Sequence, residues 1–133
     1  MILALHRATH ATLHALAARL ASLELPAADI NVLANLGGGT RRAVGALATA
    51  TATKPTTLTS ALDRLARRGY LVRDTDPADR RSFLISLTPR GEAAAQRVAA
   101  AVHDIERQAL ATATEADLAG FHALINALTE VST

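Results

Sequence analysis

The stretch KPTTLTSALDRLARRGYLVRDTDPADRRSFLISLTPRG, Lys54 to Gly91, restricts the fold more than any other part of the chain. Its first half has the period of a helix. Pro55 suits a first helical position, where its missing N–H costs nothing. Gly69 can take the left-handed conformation that closes a helix. Between them Leu58, Ala61, Leu62 and Leu65 fall at i, i+3, i+4 and i+7, which is one buried stripe. The second half has the period of strands. Tyr70 to Asp74 and Ser82 to Leu87 read as a hairpin, with Phe83, Ile85 and Leu87 alternating with smaller or exposed positions. The tip, DTDPADRR, supplies the turn formers Asp76, Pro77 and Asp79, then Arg80 and Arg81.

The faces left outside this stripe suggest DNA. Thr56, Ser60, Asp63 and Arg67, flanked by Thr57, Thr59 and Arg64, put short donors and acceptors near the helix start and guanidinium groups further on. Such a face suits a major groove. A short arginine-tipped hairpin suits the narrow, negative minor groove, with Arg81 and its neighbour Arg80 as the contacts. Asp79 stands two residues before Arg81, so strand alternation predicts a carboxylate holding that guanidinium in position. Lys54, Arg41 and Arg73 are candidate phosphate contacts. The plainer alternatives are an i, i+4 surface pair of Asp63 with Arg67, and bridges from Arg68 and Arg73 to acids in the hairpin.

The segments LATATATKPTTLT, LDRLARRG, LVRD, DPADRR and LTPRG, at these spacings, resemble the MarR family of winged helix-turn-helix transcriptional regulators. By motif the resemblance runs from Leu25 to Gly91. It implies a two-fold homodimer joined by its N- and C-terminal helices. It also implies sequence-specific binding to a palindrome-like operator, repression, and release by a small aromatic or phenolic anion near the first helix and the start of the long C-terminal helix. His10, His14 and Arg19 are the candidate anion contacts there. The chain departs from the family pattern at Ala52, where glycine is common, at Lys54, where a capping residue is common, and at Ser60. Thr53 is the alternative cap.

Charge and composition agree with this reading. Arg41 to Gly91 holds 10 basic and 4 acidic residues, a net +6, while the remainder holds 4 basic and 8 acidic, a net −4. A basic middle between acidic ends is the footprint of a central DNA-binding module. Half of the 133 residues are apolar, but only 2% are aromatic. Small side chains bury little area, so a partner subunit is expected to complete the core. There are no cysteines. That excludes disulfides, a thiol nucleophile, a cysteine-based zinc site and, within the resembling family, cysteine-based peroxide sensing. No nucleophile–base pair is visible. Gly37-Gly38-Gly39 lacks the following Lys-Ser/Thr of a phosphate loop, so the chain reads as no enzyme and needs no cofactor. The N-terminal apolar run is broken by His6, Arg7 and His10, which argues against a signal peptide or membrane span and for the cytoplasm.

The expected architecture is mainly α with a small β-hairpin wing, a winged helix-turn-helix flanked by dimerisation helices. Its parts are an N-terminal helix in 1–24, the DNA-binding domain in 25–88 and C-terminal helices in 89–133. One helix is expected over Ile2–Leu23, others over Ala27–Leu36 and Val44–Ala50, and a short strand over Thr40–Arg42. A long helix capped by Thr88 should run to about Ala111, and a last one should follow the capping box TEAD at Thr114–Asp117. His6, His10 and His14 share a side of the first helix at i, i+4, i+8. No carboxylate at i±3 or i±4 completes a ligand set, so interface hydrogen bonding is favoured over metal. The competing function is a winged-helix dimer that acts as a protein adaptor, for which an acidic or apolar reading face is the signature.

Overall fold

A computed structural model describes residues 1–131. Helix α1 (Ile2–Arg19) leads through a 3₁₀ turn (Ala21–Leu23) to α2 (Ala27–Leu36). Strand β1 (Arg42–Ala43), α3 (Val44–Thr51) and α4 (Pro55–Arg67) follow. The wing is β2 (Leu71–Thr75) with β3 (Phe83–Leu87), and α5 (Pro89–Ala109) and α6 (Glu115–Val131) complete the chain. The three strands form an antiparallel sheet in the order β1-β3-β2.

The expected single helix over Ile2–Leu23 stops early. Leu20 and Leu23 are both buried, although the α-helix itself ends at Arg19. The chain instead tightens into the 3₁₀ turn and reverses at Glu24, which takes a left-handed φ of 52°. Pro26 then bars helix at the residue before it and stands as the N-cap of α2.

The core lies where α2, α4, α5 and β3 meet. Leu33, Leu36, Leu47, Leu58, Leu65, Ile85 and Val98 are almost wholly excluded from water. The predicted stripe of α4 is buried throughout, at Leu58, Ala61, Leu62 and Leu65. Phe83 corrects the expected alternation of β3. Ile85 is buried and Leu87 half-buried, but Phe83 pairs with Thr75 at the outer end of the ladder and is 49% exposed. The hairpin projects there beyond the helices that cover its base.

Polar ties fix the base of the wing. The Thr88 hydroxyl caps α5 by accepting from the Gly91 N–H at 3.1 Å and donates to the Gly69 carbonyl at 2.6 Å. Gly91 has no room for a side chain: a Cβ there would lie 1.9 Å from the Tyr70 carbonyl oxygen. The Tyr70 ring is flanked by the guanidinium groups of Arg68 and Arg90, at 5.4 and 4.8 Å from its centroid. Next to this, Gly38 and Gly39 both take left-handed φ near 76°. Their N–H groups donate to the two Glu92 carboxylate oxygens at 3.0 and 2.9 Å. The glycine run is therefore a turn whose backbone grips the first turn of α5.

The terminal helices are packed differently. Neither α1 nor α6 contains a buried residue. Ile2, Leu3, Leu13, Phe121 and Leu124 are each about half exposed or more. The TEAD box forms as expected: Thr114 N–H donates to the Asp117 carboxylate at 2.8 Å, and Asp117 N–H donates to the Thr114 hydroxyl at 3.2 Å. Those bonds hold the Asp117 carboxyl below its ordinary value, the Thr114 N–H being the larger cause and its hydroxyl the next.

Candidate nucleic-acid interface

Helix α4 starts at Pro55 after the turn Ala52–Lys54, in which Ala52 adopts φ 49°. The strain that glycine would avoid is accepted here by an alanine. The expected Thr53 cap does not form. Lys54 is the N-cap residue and makes no side-chain cap, while the Thr53 hydroxyl donates to the Thr51 carbonyl at 3.1 Å. The first turn of α4 thus keeps its N–H groups toward solvent, where they can meet an anion.

Lys54, Thr56, Thr57, Thr59 and Ser60 are all exposed. Thr59 and Ser60 donate back to the carbonyls of Pro55 and Thr56 at 2.9 and 3.1 Å, which leaves their oxygens as acceptors. Arg67 is exposed too, with its Nε on the Asp63 carbonyl at 3.3 Å. The expected surface pair of Asp63 with Arg67 is replaced by an ion pair of Asp63 with Arg73, at 2.5 Å, which ties α4 to β2. Arg73 is therefore not a free phosphate contact. Arg68, expected to bridge to an acid, donates instead to the carbonyls of Leu23 and Glu24.

Arg64 needs the largest correction. Its guanidinium makes a two-point contact with Asp29, at 2.6 and 3.2 Å, and Asp29 is wholly buried. The Asp29 hydrogen bonds, more than its charge, hold the arginine above its ordinary pKa. Four residues after Ser60 and three after Ala61, Arg64 stands between the hydroxyl face and the buried stripe and bonds Asp29 in the first turn of α2. It fastens α4 to α2 through this contact.

The wing tip is ordered by its own acids. The Asp76 carboxylate accepts from Ala78 N–H at 2.9 Å, and the Asp79 carboxylate accepts from Arg81 N–H at 3.0 Å. Asp79 was expected to hold the Arg81 guanidinium. Residues 79–82 form a turn, so strand alternation does not apply, and Asp79 shapes the backbone under Arg81 instead. Arg80 and Arg81 themselves are exposed. Arg41 pairs loosely with Asp74 at 3.4 Å, both well exposed, a contact worth little.

A cavity of about 410 Å³ lies between α1, α2 and α5, lined by Leu13, Leu16, Ile30, Asn31, Val98 and Val102 among others. Its size and apolar walls suit a small ligand. His10, His14 and Arg19, the expected anion contacts, lie outside its lining. Arg19 donates to Gln108 at 3.1 Å, and His10 is bonded to His6 at 3.0 Å.

Sequence reasoning missed three residues that build this surface. Asp29 was not singled out, although its neighbours Ile30, Val32 and Leu33 mark a buried face. Glu92 gave a signal only together with the glycines 54 and 53 positions before it. Asn31, which donates to the Thr51 carbonyl at 2.9 Å and so locks α2 to the end of α3, gave none.

Residues 23–82, a little under half of the chain, match the model of the MarR family. No curated protein sequence matches the chain. Solved structures match nearly its whole length. A MarR-family transcriptional regulator from Silicibacter pomeroyi is 25% identical, with TM-score 0.81, over 93% of this chain and 84% of that one. A probable transcriptional regulator from Pseudomonas aeruginosa is 28% identical, with TM-score 0.77, over 96% of each. Bordetella bronchiseptica BpsR, whose DNA binding is regulated by 6-hydroxynicotinic acid, is 24% identical, with TM-score 0.79, over 97% of this chain and 92% of its own.

Proposed function

We propose, from the match of residues 23–82 to the MarR-family model, that the chain is a homodimeric winged-helix repressor that reads a palindrome-like operator. The observation that carries this is the exposed hydroxyl face of α4, at Thr56, Thr57, Thr59 and Ser60, tied by the Asp63–Arg73 pair to a wing that ends in Arg80 and Arg81. The face enters a major groove and the wing an adjacent minor groove, with Lys54 and Arg67 on phosphates. An adaptor would present an acidic or apolar face here, and this one is neither.

The exposed apolar residues of α1 and α6 support the dimer. A second copy covers Ile2, Leu3, Phe121 and Leu124 and sets two α4 helices roughly one duplex turn, about 34 Å, apart. A small aromatic or phenolic anion in the cavity between α1, α2 and α5 changes that spacing, because it binds one arrangement of the helices better than the other. The similar fold of BpsR and its regulation by 6-hydroxynicotinic acid support this part of the reading. No helix among the described residues is long and apolar enough to cross a membrane, and the protein acts on DNA in the cytoplasm.

The test is selection of duplexes from a random pool by the purified protein, with its solution mass measured alongside. Two-fold-symmetric sites and a dimer mass are expected. Retention of random DNA that vanishes at moderate salt, with no sequence enriched, refutes operator reading, and a monomer mass refutes the paired geometry.

A further inference from the structure

We propose that Asn31 is the positioning residue through which the cavity between α1, α2 and α5 acts on the DNA-reading surface. The inference rests on the reading above, in which that cavity controls DNA binding. Among the residues that line the cavity Asn31 alone has a polar side chain, the others being leucine, isoleucine, valine and alanine. It is half-buried, and both polar atoms of its amide are engaged on the side of the winged domain.

The first bond leads to the start of α4. Asn31 Nδ2 donates to the Thr51 carbonyl at 2.9 Å, alongside the Thr53 hydroxyl at 3.1 Å. A carbonyl only accepts, so the nitrogen of the amide is fixed toward it. Thr51 is the last residue of α3, where carbonyls lack intrahelical partners. Ala52 follows with φ 49°, a conformation that L side chains disfavour, and Lys54 is the N-cap of α4. This turn therefore depends on the bonds at its edge, and one of them comes from the cavity wall.

The second bond leads to the wing. Asn31 Oδ1 accepts from the Asn35 amide at 3.0 Å, and the same Asn35 nitrogen donates to the Asn31 carbonyl at 2.8 Å. The Asn35 carbonyl accepts from Arg42 Nε at 2.9 Å. Arg42 lies in β1, opposite Ile85 of β3. One planar amide thus stands between the cavity and both DNA-reading elements. Its oxygen and nitrogen turn together, so a shift of α2 or a rotation about the Asn31 side chain that follows filling of the cavity changes both bonds at once.

The test fills the cavity without a ligand. Ala17→Phe and Ala34→Phe place a ring there from α1 and from α2, at two exposed lining alanines. Affinity is measured by fluorescence anisotropy for a duplex that the wild-type protein selects from a random pool. At least one filling substitution should change that affinity tenfold or more, and the change should shrink to less than twofold when Asn31→Ala is added. A purely structural role for Asn31 shifts affinity in both backgrounds and leaves this difference intact, so the difference is what reports coupling. Asn35→Ala, which frees the oxygen of the Asn31 amide and spares the Thr51 bond, should shrink the change at least twofold. It decides the question if circular dichroism shows Asn31→Ala unfolded. A change of equal size in every background overturns the role of Asn31 and leaves the cavity as the controlling site. No change from either filling substitution overturns the reading of the cavity itself, and the role of Asn31 with it.

Discussion

Replacing Arg64 with methionine separates a structural from a reading role for this residue. The substitution keeps the length and most of the apolar stem of the side chain and removes the guanidinium from Asp29. Asp29 is wholly buried and receives two hydrogen bonds from Arg64, at 2.6 and 3.2 Å. Breaking a fully buried ion pair on one side costs about 3–5 kcal/mol, because a charge is left without a partner. Here the Arg64 side chain is 36% exposed, so water reaches the gap, and the expected loss is lower, about 2–3 kcal/mol. For a chain of this size that lowers the melting temperature by about 6–9 °C.

Thermal and urea unfolding at one fixed protein concentration measure the loss, since a dimer's stability depends on concentration. Asp29→Leu made together with Arg64→Met should recover most of it, because an apolar pair of similar volume carries no desolvation cost. DNA affinity measured well below the melting temperature should change little in either variant. The refuting result is an Arg64→Met protein with wild-type unfolding and operator affinity reduced tenfold or more. Arg64 would then be reading bases, and its contact with Asp29 would be incidental.

Arg81→Ala should weaken operator binding at least tenfold, about 1.4 kcal/mol, with unchanged unfolding; an unmoved gel-shift midpoint would remove the wing from the interface. Asp79→Ala should weaken binding as well, by loosening the turn under Arg81 rather than by freeing its guanidinium, so Asp79→Asn, which can still accept from the Arg81 N–H, should restore it. Gly91→Ala puts a Cβ 1.9 Å from the Tyr70 carbonyl and should cost 3 kcal/mol or more, on the order of the worst overpacking changes, read as a fall in the urea midpoint. Because the folded Asp117 carboxyl lies below its ordinary 3.8, the α6 cap contributes fully above that pH and is lost as pH falls through the lower folded value. Amide exchange at the start of α6 should accordingly stay slow from pH 8 to about pH 4 and quicken only below; an onset near pH 6 would show that another group holds the helix end.

The helices and the wing were legible because their signals are local. A stripe at i, i+3, i+4 and i+7 in α4, proline at the first positions of α4 and α5, and TEAD before α6 each fix an element from within a few residues. Arg64 was misread for the complementary reason. Its role depends on Asp29, 35 positions earlier, and nothing near it in the chain distinguishes an arginine committed to a buried acid from one facing solvent. Arg73 with Asp63 and Glu92 with the glycine turn repeat the pattern across smaller and larger separations. The hydroxyls of Thr56, Thr57, Thr59 and Ser60 and the guanidinium groups of Arg80 and Arg81 kept the exposed placement read from the sequence, because among the described residues no acid is paired with them. A basic or polar side chain is thus available to DNA only when the tertiary structure supplies no nearer partner. That rule, applied to α4 and the wing, sets Arg64 and Arg73, each paired with an acid, apart from the other candidate contacts, and among those Asp79 serves by shaping the turn.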